Sequence, residues 1–133
     1  MSTTTGNNVQ AAWIAHLKAQ STLTALLSNS GQIKGLQWQG EEFVYPAVRV
    51  SVDFFPGLPN CFHRATIYID IFSEEKTSKQ ASNIAGVIQN LIHAVSFESV
   101  GVKSFMVDVK EVSRPNRSIF AWQSSLRVET LVA

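Results

Sequence analysis

Two stretches of alternating character, "PAVRVSVDF" (46–54) and "RATIYIDIFS" (64–73), constrain the fold more than any other part of the chain. In the first, Val48, Val50, Val52 and Phe54 alternate with Arg49, Ser51 and Asp53. In the second, Ala65, Ile67, Ile69 and Ile71 alternate with Thr66, Tyr68, Asp70 and Phe72. A period of two gives each segment one face for a core and another for different surroundings, so both are predicted strands. Pro46 stands at the start of the first, where a missing N–H costs little. Between them, Pro56 and Pro59 restrict φ while Gly57 and Asn60 tolerate positive φ. The pair reads as an antiparallel hairpin whose loop exceeds the usual two to five residues, so its tip should project. That loop and its flanks hold Phe54, Phe55, Leu58 and Phe62, more apolar surface than a hairpin can bury against its own sheet. Either part of it folds back as a lid over the core, or the tip is a docking surface. The stiffening prolines favour docking.

Helical spacing appears twice. "NNVQAAWIAHLKAQSTLTALLSNSG" (7–31) repeats Val9, Ala12, Trp13 and Leu17 on one side, and Leu23, Leu26 and Leu27 extend the stripe. Asn7 or Asn8 is suited to cap its start and Gly31 to stop it. "QSTLT" is unfavourable in a helix interior and is expected to split the run in two. "SEEKTSKQASNIAGVIQNLIHAV" (73–95) carries the wider stripe, formed by Ala81, Ile84, Ala85, Ile88, Leu91, Ile92 and Val95. Thr77 with Gln80 matches a capping box, and Glu74 and Glu75 suit the positive end of the helix dipole. "KSFMVDVKEV" (103–112) and "SIFAWQSSLRVETLV" (118–132) are predicted strands, with "SRPNRS" (113–118) as the turn between them, and "QIKGLQWQG" (32–40) leaves a short strand open. Hairpins separated by helices define an α+β domain: a mainly antiparallel sheet of about four or five strands with two main helices packed on one face. Residues 1–133 are expected to form one such domain, with 1–7 as a flexible N-terminal tail.

Composition narrows the function classes. Charged residues make up only 16% of the chain, and Ser, Thr, Asn and Gln occupy 38 of its 133 positions. The formal net charge is +1, with Lys and Arg scattered among acids, which argues against a phosphate-gripping protein. A charge-poor surface opposes association weakly and suits a subunit of an assembly. The polar start "MSTTTGNN" lacks the pattern of a signal peptide, and no apolar run reaches membrane-spanning length, so no membrane is expected.

The search for chemistry centres on Cys61, the only cysteine, and His63 two residues later. At this spacing both could face one way on a strand. A zinc site needs three or four ligands, and His16 and His93 lie in helical stripes, so no metal is expected. A thiol nucleophile needs a base held within hydrogen-bond reach, and a loop tip is a poor place to hold one. Cys61 reads more simply as a small apolar residue beside Phe62. The seven glycines form no phosphate loop and no serine sits in a nucleophile elbow, so no catalytic residue and no cofactor is assigned.

Taken in order, "VQAAWIAHLKAQSTLTALL", "YPAVRVSV", the loop into "ATIYIDIFS", "KQASNIAGVIQNLIHAV", "SFMVDVKEV" and "IFAWQSSLRVETLV" resemble the small tail-terminator and tail-completion proteins of long-tailed bacteriophages. The likeness lies in element order, size and hydrophobic pattern rather than in a diagnostic motif. It implies a non-enzymatic virion protein, made in the host cytoplasm and placed at the head-proximal end of the tail. Such proteins form a hexameric ring that caps the tail tube, stops its polymerisation and joins it to the head side. The implied partners are further copies of the chain, the major tail-tube protein and head-tail connector proteins, with DNA only passing through the ring. The resemblance further implies that the hairpin, through Phe54, Phe55, Leu58 and Phe62, touches a neighbouring subunit or the tube. Arg114 and Arg117 of the other turn are candidates for ion pairs with a neighbour. The chain departs from expectation in lacking a clear basic lining set, because Lys103, Lys110, Arg114 and Arg117 are interspersed with Asp108 and Glu111. Three alternatives stay open: a neck or head-completion protein, a small thiol hydrolase using Cys61 and His63, and an adaptor that binds a peptide along a sheet edge.

Overall fold

A computed structural model describes residues 5–27, 33–35, 46–57, 63–73, 79–92, 96–99, 102–116 and 121–132. In chain order the elements are α1 (Gly6–Lys18), α2 (Ser21–Thr24), β1 (Ile33–Lys34), β2 (Ala47–Phe55), β3 (His63–Ser73), α3 (Lys79–Ile92), β4 (Ser96–Ser99), β5 (Val102–Asn116) and β6 (Ala121–Val132). The six strands form one sheet in the order β1-β2-β3-β6-β5-β4. All neighbours are antiparallel except β1, which runs parallel to β2.

The alternation in the sequence sets the registers. Val50 on β2 faces Ile69 on β3, which faces Leu126 on β6; Val52, Ile67 and Val128 form the next row. A slip of one residue would turn every one of these side chains to the opposite face, so burial of this face specifies the pairing. Onto it α1 packs Val9, Ala12, Trp13 and Leu17, and α3 packs Ala81, Ile84, Ala85, Ile88 and Ile92, in one continuous core. Complete burial of each large aliphatic side chain contributes about 1.5–3 kcal/mol, which fixes both helices to the same side of the sheet. The α+β class with helices on one face is therefore as expected; β1 falls in the segment left open as a short strand, and β4 brings the strand count among the described residues to six.

Local chemistry places the ends. The Thr5 side chain, not Asn7 or Asn8, caps α1 by accepting from the Asn8 N–H at 3.2 Å. The helix thus begins at Gly6, inside the segment expected to be a tail. At "QSTLT" the run does break: Gln20 takes an extended conformation before α2, and its side chain donates to the His16 carbonyl at 3.2 Å. At the start of α3, the Ser73 hydroxyl donates to the Gln80 side chain and ties β3 to the helix. The expected helix signals at Gly31, Glu74, Glu75 and Thr77 lie outside the described residues.

One expectation is corrected. Residues 113–116 do not form a turn; β5 continues through Arg114, Pro115 and Asn116, which pair with Gln123, Trp122 and Ala121. Among the described residues β4 covers only Val102–Phe105 of β5, so the rest of the strand has a free edge. Edge strands and strand ends are where proline is tolerated in a sheet. A register shift between Met106 and Asp108 marks a bulge near the point where β4 ends.

Candidate assembly surface

On β2, β3 and β6 the sheet face away from the helices carries most of the polar side chains, and cross-strand pairing organises it. Arg49 and Asp70 are register partners on β2 and β3, with Nη2 and Oδ2 3.3 Å apart. Asp70 also accepts, through Oδ1, from Ser125 Oγ at 2.7 Å and from Gln123 Nε2 at 3.1 Å. Gln123 Nε2 also lies 3.1 Å from Ser125 Oγ. The Arg49 guanidinium lies 5.4 Å from the centre of the Phe72 ring, within cation–π range. Further along, Thr66 Oγ1 donates to Glu129 Oε2 at 3.1 Å, and Arg127 Nε sits 3.3 Å from Glu129 Oε1. The Tyr68 hydroxyl hydrogen-bonds to the Asp53 carboxylate, which raises the phenol pKa above its ordinary value. Asp53, Asp70 and Glu129 are thus each engaged by a neighbouring strand, an arrangement that stiffens a surface.

The hairpin end of this face divides the two aromatic residues that the sequence places side by side. Phe54 turns to the helix side and packs at the margin of the core. Its ring centre is 5.2 Å from that of His63, and α1 begins so close that a Cβ built on Gly6 would lie 3.4 Å from Phe54 Cβ. Phe55 turns the other way and is 56% exposed. It pairs in register with Arg64, and Arg64 with Leu131, so an apolar–basic–apolar row crosses three strands. With Thr66, Arg127 and Glu129, this row lines a shallow hollow of about 500 Å³. Of the two described members of the aromatic cluster, Phe54 packs at the core margin and Phe55 is exposed.

The other candidates are placed unequally. Leu58, Phe62 and Arg117 lie outside the described residues, as do Cys61 and His93. Arg114 belongs to β5, opposite Gln123. His63 opens β3, and its Nδ1 accepts from the Gly57 N–H at 2.9 Å, so this nitrogen fastens the base of the hairpin. Among the described residues no three His, Cys, Asp or Glu side chains gather as metal ligands. Nor is any helix among them long and apolar enough to cross a membrane.

Sequence reasoning did not single out the Arg49–Asp70–Gln123–Ser125 cluster. Each member occupies a polar position of an alternating strand, but the sequence does not state which polar residues become neighbours. For Gln123 and Ser125, both 53 or more residues from Asp70 along the chain, that depends on β6 lying next to β3.

These elements define an α+β fold in which helices cover one face of a mainly antiparallel sheet and the other face is left polar. No protein-family model and no curated protein matches the chain. Among solved structures, the fold is shared with a chain of the virion of a native gene transfer agent (GTA) particle. The TM-score is 0.69 at 14% sequence identity, and the match covers 93% of each chain. The likeness is one of fold.

Proposed function

We propose that this chain is a structural subunit of a phage-type virion and serves as its tail terminator. In this reading, residues 1–133 act as one domain, and copies close into a hexameric ring on the last ring of the tail tube. The ring halts polymerisation of the tube and offers its other side to the head-side connector, and DNA passes through it without specific recognition. The carrying observation is the shared fold, across 93% of both chains, with a component of a gene transfer agent virion. The surface chemistry is compatible. A sheet face braced by cross-strand hydrogen bonds loses little entropy on docking, and Phe55 supplies an exposed aromatic anchor of the kind that dominates interfaces. The role requires no catalytic group.

The test uses the purified full chain. Native mass spectrometry and negative-stain images are expected to show closed rings, and substoichiometric addition is expected to stop elongation of the cognate tube protein. Binding to head-side connector proteins without any effect on the tube would favour a neck protein instead. A chain that stays monomeric at high concentration, also when mixed with tube subunits, would defeat both readings.

A further inference from the structure

Among the residues whose side chains the structure describes, two large hydrophobics are exposed, Phe55 at 56% and Leu26 at 43%. They differ in setting. Phe55 stands out from the polar face at the hairpin end of the sheet. Leu26 lies just beyond α2 and, with Lys79, Gln80, Asn83 and Ile84 of α3, lines a hollow of about 290 Å³. Leu26 and Ile84 supply its apolar part and the α3 residues its polar rim. A hollow of this size and composition accepts one large side chain.

The positions exclude contact within one molecule. Phe55 is paired with Arg64 near the start of β3, whereas the hollow is tied to the end of β3 through Ser73 and Gln80. Nine residue steps of strand separate Arg64 from Ser73, roughly 30 Å at the rise of an extended chain. The two features also lie on opposite sides of the sheet. The charges beside them are complementary, since the exposed Asp53 precedes Phe55 by two residues and the exposed Lys79 rims the hollow.

We infer that Phe55 of one copy seats in the Leu26–Ile84 hollow of the next, with Asp53 facing Lys79 across the contact. A projection and a socket on different surfaces make a heterologous interface, which repeats head to tail and closes into a ring when its rotation permits. The inference rests on the ring reading above and names the surfaces that would build the ring.

Two variants test it, Phe55→Ser and Leu26→Asp, in the full chain and with folding checked by circular dichroism. The first keeps the socket and loses the projection; the second keeps the projection and loses the socket. Native mass spectrometry should find each alone as a monomer. Their mixture should give one-to-one dimers and nothing larger, because each pair retains a single usable contact. If one contact is too short-lived to survive the measurement, a disulfide can hold it. Asp53→Cys protein mixed with Lys79→Cys protein, both carrying Cys61→Ser and retaining Phe55, should form a covalent dimer that Phe55→Ser abolishes. Wild-type rings together with variants that still close rings, or with no cross-link in the mixture, would overturn this contact and leave the ring reading standing. A wild-type chain that forms no ring under any condition would overturn both.

Discussion

Arg49 and Asp70 face each other across β2 and β3, and Asp70 passes the link on to Gln123 and Ser125 of β6, so one carboxylate joins three adjacent strands. The Asp70 side chain is 13% exposed and that of Arg49 29%, so solvent screens this pair less than a pair at the open surface. Arg49 Nε is buried without a hydrogen-bond partner, which leaves the guanidinium dependent on its contacts with Asp70 and Phe72. Removing the carboxylate takes away an acceptor shared by three donors, Arg49 Nη2, Ser125 Oγ and Gln123 Nε2. Asp70→Ala should therefore cost about 1–3 kcal/mol in urea unfolding. In a double-mutant cycle with Arg49→Ala, a coupling energy of about 0.5 kcal/mol or more is expected. Strict additivity would mean that the pair contributes nothing beyond its separate members.

Gly86 sits within α3, and a Cβ built on it meets nothing within 4 Å. The helix thus carries the entropic cost of glycine without a packing reason for it. Gly86→Ala should raise stability by about 0.5–1 kcal/mol, read as a higher urea midpoint at unchanged slope. A lower midpoint would show that the position is reserved for something that approaches it, such as a partner.

Burial lowers the pKa of His16 below its ordinary 6.5. The folded chain therefore binds this proton less readily than the unfolded chain. As pH falls through 6.5, the unfolded state gains a proton first and stability declines, until pH passes below the folded value and the loss levels off. Above this window His16 is neutral in both states and contributes no slope. Urea midpoints should thus drop between neutral and mildly acidic pH, and His16→Gln should reduce that drop. An unchanged slope in the variant would assign the acid sensitivity to other groups.

The bond from the Gly57 N–H to His63 Nδ1 closes the base of the β2–β3 hairpin. His63→Ala removes the acceptor and the ring that rests against Phe54. The expected cost is roughly 1 kcal/mol, with amide hydrogen exchange at Gly57 accelerated severalfold. Unchanged exchange at Gly57 would mean that the loop is held from elsewhere.

Much of the fold was legible in the sequence because it follows from periodicity. Val48–Val50–Val52 and Ala65–Ile67–Ile69–Ile71 must share a buried face, and the Ala81–Ile92 stripe must meet it, since only that arrangement removes those side chains from water. The break at "QSTLT" was legible too, from residues that compete for backbone hydrogen bonds. The short edge strands were less so: the segment holding "IK" was open as a strand, whereas "SFES" is too brief to show a period and exists because β5 offers it an edge. Pro115 read as a turn because proline usually breaks a ladder; tertiary pairing put it near the end of a strand whose outer edge no described residue covers there, a setting that tolerates proline.

The candidate surface shows the same division. Sequence alone determined that Phe54 and Phe55 lie at the end of a stiff hairpin and, by alternation, on opposite faces. Tertiary structure decided the rest: α1 begins over Phe54, and Phe55 is left exposed beside Arg64 and Leu131. It also set the Leu26–Ile84 hollow at the far end of the sheet, and it brought Gln123 and Ser125 of β6 to Asp70. Periodicity is a property of neighbours along the chain and fixes which face each residue takes. Which residues meet on a face depends on strand order and register, and these are settled by the free energy of the assembled sheet.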